Sequence, residues 1–232
     1  MHTNNPSKSR IMTGIFIALG IGILLLSCLF VWFVSYFLMG GPAEVTDDAS
    51  QYEATMRKYT SEVVGTVHTG FFSFPESIPG SAMDNGPVFY FSYQDTWDDP
   101  TCEVYLKCTY SDEDYAREIE RLKSTVYELE SGDIVTRNSL EYDESTRFIR
   151  PAYKAIDCDN HSYEYALDLG ENQIAYIYTS FKDTPKDLKA IPPEYLPSDF
   201  EESLRGNSYG NGRFNVYTVE RTDEYTTFDY DR

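Results

Sequence analysis

Residues 102–122 read CEVYLKCTYSDEDYAREIERL, and this stretch predicts a strand followed directly by a helix. In its first half, apolar and polar residues alternate, a period of two that is typical of a strand with one apolar face. The apolar positions are Cys102, Val104, Leu106, Cys108 and Tyr110. Ser111 stands where a helix cap belongs, and the three acidic residues after it favour the positive end of the helix dipole.

The helix is expected to continue well beyond this stretch. Apolar residues recur at steps of three and four through Val126 and Leu129, and Gly132 is a natural end. The cysteines and the acidic cluster of the quoted stretch therefore have scaffold roles: the thiols lie on the buried side of a strand, and the acids start a helix.

Further elements follow from the same two periods. Apolar residues at helical spacing predict a helix over about 48–63. Strands are expected at about 88–94, 133–138, within 147–181 around a hairpin turn at Leu169–Asn172, and at 213–221. Because strands flank the helices without regular alternation, the sequence predicts an α+β domain, a mainly antiparallel sheet with one or two helices packed on one face.

The N-terminal region is apolar over Ile11 to Met39 and carries no charged residue there. A helix needs roughly 20 apolar residues to cross the hydrocarbon core of a bilayer, so this segment is long enough. A cleaved signal peptide has a shorter apolar core of about 7–15 residues. Trp32 and Tyr36 near its end are typical of an interfacial aromatic belt. An uncleaved transmembrane helix is therefore favoured.

A lipoprotein leader is the alternative, because Leu25–Cys28 reads LLSC and loosely resembles a lipobox. Cleavage before Cys28 would leave a mature end that is still strongly apolar. The mode of anchoring stays open between these two.

The basic residues predict the orientation. Lys8 and Arg10 precede the apolar segment, and acidic residues come first after it, which places the N-terminus in the cytoplasm. The expected organisation is a cytoplasmic N-terminus (1–10), a transmembrane helix (11–39), a linker (40–47), an extracytoplasmic α+β domain (48–220) and a disordered acidic tail (221–232). The chain is thus expected to be a single-pass protein of the cell membrane.

The chain is strongly acidic, with a formal net charge of -19. Two of its 19 basic residues and none of its 38 acidic residues precede residue 41, which leaves 17 basic against 38 acidic outside, or −21. Such a charge repels nucleic-acid phosphates and anionic headgroups, so nucleic-acid binding is not expected. It keeps the domain soluble and would attract cations or basic partners.

Three cysteines lie outside the apolar segment. Cys102 and Cys108 are roughly 20 Å apart if they share a strand, whereas a disulfide needs Cα atoms about 5.5–6 Å apart. One of them could pair with Cys158 across neighbouring strands, or all three could be buried thiols. A zinc site that adds His161 is disfavoured by the spacing, so no metal and no cofactor are expected.

No motif of a serine hydrolase, zinc protease or phosphate-binding loop occurs in the sequence. Paired carboxylates such as Asp98-Asp99, Asp112 to Asp114 and Glu201-Glu202 could serve glycoside hydrolysis, but pairs arise easily among 38 acids. No catalytic residue is therefore assigned.

Within the apolar segment, Gly14, Ala18 and Gly22 are spaced by four and form a stripe of small residues. Such stripes let membrane helices pack closely. The stripe is the candidate contact of the chain with another transmembrane helix.

Two segments carry a resemblance, DTWDDPTCEVYLKCTYSDEDYAREIERLKS at 95–124 and YEYALDLGENQIAYIYTSF at 163–181. They resemble an uncharacterised group of small membrane-anchored or lipoprotein-like surface proteins of Gram-positive bacteria, over about residues 70–200. The resemblance implies a bacterial cell-surface protein and supplies no catalytic residues.

The expected function is a membrane-anchored binding or accessory module that acts on an unknown protein or cell-wall partner. One alternative is a cell-wall-acting hydrolase that uses paired carboxylates. Another is a structural subunit of a membrane complex, with the apolar helix as its contact.

Overall fold

The computed structural model describes residues 6–60, 71–96, 100–131, 134–159, 162–182, 184–201 and 218–221. The helices in these ranges are α1 (Pro6–Met39), α2 (Tyr52–Thr60), α3 (Gly80–Asp84) and α4 (Asp112–Ser124). The strands are β1 (Glu44–Thr46), β2 (Val88–Gln94), β3 (Thr101–Thr109), β4 (Val126–Ser131), β5 (Ile134–Ser139), β6 (Glu141–Asp143), β7 (Ala152–Asp159), β8 (Ser162–Gly170), β9 (Gln173–Ser180) and β10 (Thr218–Arg221).

The main sheet has seven strands in the order β1-β2-β3-β9-β8-β7-β6, and every neighbouring pair is antiparallel. A smaller sheet has the order β10-β5-β4 and is antiparallel as well. The architecture confirms the predicted α+β class with a mainly antiparallel sheet.

The quoted stretch lies at the centre of this fold. Strand β3 pairs with β2 on one side and β9 on the other, and the five apolar positions named above all enter one core cluster. Helices α2 and α4 cover this face through side chains that include Tyr52, Met56 and Leu122. The predicted packing of helices on one face of the sheet is therefore confirmed.

The second face of the sheet is buried too. Tyr105, Tyr165 and Ile177 point to this face and form a second core cluster with Leu188 and Phe200. The cover is the mostly irregular segment 184–201, which contains two short 3-10 helices. The alternating polar positions of β3 are therefore not a solvent-facing side, because the sheet is sandwiched between two layers.

Helix α4 is shorter than predicted. It ends at Ser124, and Thr125 is extended with φ −63° and ψ 123°, so that Val126–Ser131 forms β4 instead of two further helical turns. Tyr127 explains the change, because its buried hydroxyl donates to the carbonyl oxygen of Ala155 at 2.5 Å. A helix over these residues would give up this contact and the β4–β5 ladder.

Three other predicted features, a hairpin turn, a helix and a linker, can be compared with the structure. The hairpin between β8 and β9 is confirmed, with Glu171 and Asn172 at φ 51° and 61°, the left-handed pair that such a turn needs. The 48–63 helix is a 3-10 turn followed by α2, which runs to Thr60; the predicted continuation lies outside the described residues. Residues 44–46, predicted as linker, form β1 and pair with β2.

Helix α1 contains the apolar segment. Residues Ile15–Tyr36 are long and apolar enough to cross a membrane, and none of them is buried against the rest of the chain. A signal sequence would meet the same criteria of length and composition. The predicted tail at 221–232 lies outside the described residues apart from Arg221, the last residue of β10.

The junction between α1 and the sheet is tight. Gly40 has φ 76°, and a Cβ atom at this position would overlap the carbonyl oxygen of Asp95. The side-chain amide of Gln94 donates from Nε2 to the carbonyl oxygen of Gly41 at 3.0 Å. The helix end is thereby held against the loop that follows β2.

We expect Gly40→Ala to loosen this junction. A left-handed backbone costs a residue with a Cβ atom roughly 1–2 kcal/mol, and the overlap with Asp95 adds to that cost. The measurement is the rate of proteolysis within residues 40–47 of the full chain, which should rise for Gly40→Ala.

Gly41→Ala is the matched control, because the atoms nearest to its added Cβ atom would be those of the Tyr36 side chain at 3.4 to 3.7 Å, which are ordinary contacts. Equal cleavage rates in the two variants would contradict the role of Gly40.

Candidate ligand-binding groove

A groove of about 700 Å³ opens on the helix-covered side of the domain. It is bounded by residues 71–79, by helix α4 and by the start of β4, and is called the aromatic groove below. Its volume lies within the range of about 300–1,000 Å³ that is usual for small-ligand sites. The lining residues are Phe71, Phe72, Phe74, Pro75, Glu76, Ser77, Pro79, Tyr110, Asp114, Arg117, Glu118, Arg121, Thr125, Val126 and Tyr127.

Aromatic rings form much of its wall. Phe72 stacks on Tyr127 with ring centroids 4.2 Å apart. Phe71 meets Phe74 edge to face at 5.6 Å, and Phe74 contacts Tyr176 of β9 at 5.7 Å. Such pairs add about 0.5–1.5 kcal/mol beyond the area they bury, so the wall is a fixed surface.

The polar floor of the groove is an ion pair on α4. Glu118 and Arg121 are three residues apart and form two hydrogen bonds of 2.6 and 2.8 Å. The hydroxyl of Tyr176 also donates to Glu118 at 2.6 Å and lies 2.7 Å from the hydroxyl of Tyr110. A bidentate pair of this kind is strong and directional, so the floor is rigid.

Segment 71–79 is fixed by hydrogen bonds to three other elements of the domain. Arg121 donates to the carbonyl oxygen of Ser73 at 2.6 Å, and Tyr52 donates to that of Pro75 at 2.5 Å. The amide and hydroxyl of Ser73 both donate to Glu164 Oε1, at 2.6 and 3.0 Å. The groove wall is thereby tied to α2, α4 and β8.

Glu164 is a fully buried acid beneath this wall. Burial raises its pKa from 4.5 to about 8, against the opposing effect of the Ser73 and Phe72 hydrogen bonds and of Arg121. Its second oxygen has no hydrogen-bond partner among the described residues. The carboxyl group is therefore largely protonated at neutral pH.

We expect this acid to make stability depend on pH. The folded pKa lies above the unfolded value, so the stabilisation is complete below about pH 4.5 and is lost as the pH rises through about 8. Relative to Glu164→Gln, the wild-type chain should lose up to about 1.4 kcal/mol per pH unit in this window. Urea denaturation at several pH values measures the difference.

Glu113→Gln is the control, because it also replaces one carboxyl group by an amide, but at a side chain that is 90% exposed. If the Glu164→Gln curve were parallel to the wild-type curve, Glu164 would not titrate in this range.

The cysteines of β3 are buried and free. Cys102 and Cys108 lie on the same strand, and burial raises the pKa of the Cys108 thiol to about 12 and that of Cys102 further. Cys158 is on β7, which is separated from β3 by β9 and β8, so their backbones are about 14 Å apart. The suggested pairing across neighbouring strands is therefore wrong, because the strands are not neighbours.

The other residues singled out from the sequence lie apart from the groove. Gly14, Ala18 and Gly22 are all on α1; Ala18 is exposed, and a Cβ atom on Gly22 would meet nothing within 4 Å. Within the described ranges, no group of three or more His, Cys, Asp or Glu residues could hold a metal ion. Asp98, Asp99, His161 and Glu202 lie outside the described residues.

The acidic cluster at 112–114 has a structural role. The Ser111 hydroxyl accepts from the amide of Asp114 at 3.2 Å and caps α4. Asp114 accepts from Ser81 and pairs with Arg117, which joins α3 to α4. The cluster starts a helix, as the sequence predicts.

Sequence reasoning missed the polar residues that build the groove. Glu118 falls on the apolar face of α4 with Tyr115, Ile119 and Leu122, and a charged residue on such a face signals a buried partner. Glu164 stands in the same way within a run of buried strand residues. Both were detectable as exceptions to the pattern, but the pattern does not name their partners.

A second concavity, of about 550 Å³, lies beside the segment that covers the opposite face. Arg147 pairs there with Asp199 at 2.7 Å, and Ile149 is exposed. It has fewer aromatic residues than the aromatic groove, which is the stronger candidate.

Comparison with models of protein families, with curated proteins and with solved structures gives no match for this chain. The resemblance to small surface proteins of Gram-positive bacteria therefore stays a prediction. Function has to be inferred from the groove and from the helix that carries the domain.

Proposed function

We propose that this chain is a single-pass membrane protein whose extracytoplasmic domain binds a ligand in the aromatic groove, close to the membrane surface. The observation that carries the proposal is the groove itself, an aromatic wall and a rigid polar floor on a domain joined directly to an apolar helix. Its role would be that of a binding or accessory module at the surface of a bacterial cell.

The membrane part of the proposal is supported by α1 and by its flanks. The helix is apolar over 22 residues, and Lys8 and Arg10 precede it. The first strand of the sheet begins at Glu44, five residues after the helix ends. Such a short connection would keep the domain, and any ligand in the groove, near the bilayer.

The groove favours binding over hydrolysis. Glu118 accepts hydrogen bonds from Arg121 and Tyr176, so it is committed to a structural pair. Glu164 is fully buried and does not line the groove. A glycosidase needs two carboxyl groups that both reach the substrate. Of the acids that line the groove, Asp114 and Glu118 are each held in an ion pair with an arginine of α4, which leaves Glu76.

Site-specific photo-crosslinking in cells tests the binding site. A photoreactive residue at Val126, which lines the groove and is 43% exposed, should give discrete adducts. The same residue at Ile149, 57% exposed on the other concavity, is the matched control. Identical adduct patterns, or none from Val126, would contradict binding in the groove.

Thiol labelling of intact cells tests the orientation. A Glu113→Cys chain should react with a membrane-impermeant maleimide in intact cells, because this position is exposed on α4. A Ser7→Cys chain should react only after permeabilisation. The unmodified chain sets the background, and the reverse pattern would place the domain in the cytoplasm.

A further inference from the structure

We infer that the ligand of the aromatic groove is an extended, basic peptide that pairs as an additional strand with the edge of β4 that no other described strand occupies. This inference rests on the proposed function and adds the chemical class of the ligand. It follows from the register of β4, from the position of the groove and from the charges around both.

Strand β4 is at the edge of its sheet. In the order β10-β5-β4, its only strand neighbour among the described residues is β5. An edge strand presents unpaired N–H and C=O groups, to which an extended peptide can add. Peptide addition of this kind draws its affinity from main-chain hydrogen bonds.

The register shows which groups face outward. The amide of Leu140 donates to the carbonyl oxygen of Thr125, so this pair is hydrogen-bonded across the ladder. Hydrogen-bonded and non-hydrogen-bonded pairs alternate along antiparallel strands. Tyr127 therefore bonds towards β5, whereas the main-chain groups of Val126 and Glu128 point away from it.

The groove reaches the start of this strand. Its lining includes Thr125 and the first two residues of β4, Val126 and Tyr127, but no residue of β5, which places it beside β4 and not over the β4–β5 ladder. A peptide paired with Val126 and Glu128 would therefore extend from the groove. Alternate side chains of the peptide could then contact the stacked rings of Phe72 and Tyr127.

The charges around the edge favour basic side chains. Glu76 lines the groove, is exposed and forms no ion pair with the part of the chain that the structure describes. Arg117 and Arg121 are paired with acids of α4, so they do not offset the charge of Glu76. Glu128 is exposed on β4 just beyond the groove lining, with Arg137 opposite it on β5. The domain as a whole is strongly acidic, which attracts basic partners over longer distances.

The test measures binding of defined peptides to the full chain in detergent micelles, by fluorescence anisotropy. The probe is a labelled, end-blocked peptide Lys-Val-Lys-Phe-Lys-Val-Lys. Two comparison peptides carry N-methyl groups on alternate amides, one in each register, and a third has glutamate in place of lysine. We expect the first peptide to bind, and the glutamate peptide and at least one N-methylated peptide to bind at least roughly tenfold more weakly, since 1.4 kcal/mol corresponds to tenfold.

Two substitutions at one position separate main-chain pairing from charge. Glu128→Pro removes an outward N–H group, and proline is tolerated where the N–H faces away from the ladder. Glu128→Gln keeps the N–H group and removes only the charge. We expect Glu128→Pro to weaken binding more than Glu128→Gln, with circular dichroism and melting temperature confirming that both variants fold.

The outcomes separate this inference from the proposed function. Edge pairing would be overturned if both N-methylated peptides bound as tightly as the unmethylated peptide. It would also be overturned if Glu128→Pro and Glu128→Gln bound that peptide equally well. Failure of the peptides to bind while Val126 still gives adducts in cells would overturn the peptide ligand and leave the groove as a binding site. Failure of both would overturn the two proposals together.

Discussion

Replacing Glu103 with alanine should lower the free energy of unfolding by about 3–5 kcal/mol, because it removes a fully buried carboxylate that accepts several charge-assisted hydrogen bonds and leaves their donors without an acceptor. The amides of Lys189, Ala190 and Ile191 all donate to this carboxylate, at 2.8 to 3.3 Å. The donors belong to the segment that covers the second face of the sheet. Urea denaturation of the full chain measures the loss.

Glu103→Gln is the informative companion variant. Oε1 accepts from all three amides, and Oε2 accepts only from Lys189, so a glutamine whose amide oxygen replaces Oε1 can keep most of these hydrogen bonds. We expect it to lose less than half as much stability as Glu103→Ala. Hydrogen exchange of the amides at 189–191 should accelerate in the alanine variant, and unchanged exchange there would contradict the role of Glu103 as the fastening point.

Replacing Arg121 with leucine should lower the free energy of unfolding by about 2–4 kcal/mol. Removing one partner of a buried pair leaves the other charge uncompensated, which typically costs about 3–5 kcal/mol. The figure is reduced here because Arg121 is 34% exposed, whereas Glu118 is 10% exposed. The loss of the bond to the Ser73 carbonyl should also loosen the groove wall.

A double-mutant cycle checks this prediction. In the double variant of Arg121→Leu and Glu118→Leu no charge is left unpaired, so the cost should fall below the sum of the single variants by about 1–3 kcal/mol. Arg117→Leu on the same helix is the control; its side chain is 67% exposed, and it should change stability by less than about 1 kcal/mol. Additive effects would mean that the pair is not coupled.

The chain illustrates how far hydrophobic periodicity reaches. The alternation in residues 102–110 predicts β3 and its apolar face, and Ser111 with the acids after it predicts the start of α4. The predicted end of α4 was wrong, because Val126 and Leu129 continue the helical spacing although their segment pairs with β5 as a strand. A period identifies what is locally possible, and a distant strand decides between two possibilities.

The second layer of the core could not be predicted in the same way. Glu103 and Tyr105 occupy the positions of an outward face, yet both are buried beneath segment 184–201. That segment has neither helical nor strand periodicity, so its sequence gives no sign of the surface it covers. The aromatic groove was missed for a related reason, since residues 71–79 form no helix or strand.

The sequence by itself determined the apolar helix, the α+β class, the hairpin at Glu171 and Asn172 and the buried side of β3, because each depends on neighbours within one turn or one strand. Only the tertiary structure decided the partners of the buried acids. The donors to Glu103 lie 86 to 88 residues further along the chain, and Ser73 lies 91 residues before Glu164. Contacts over such separations form only when the sheet brings the segments together, and no local pattern records them.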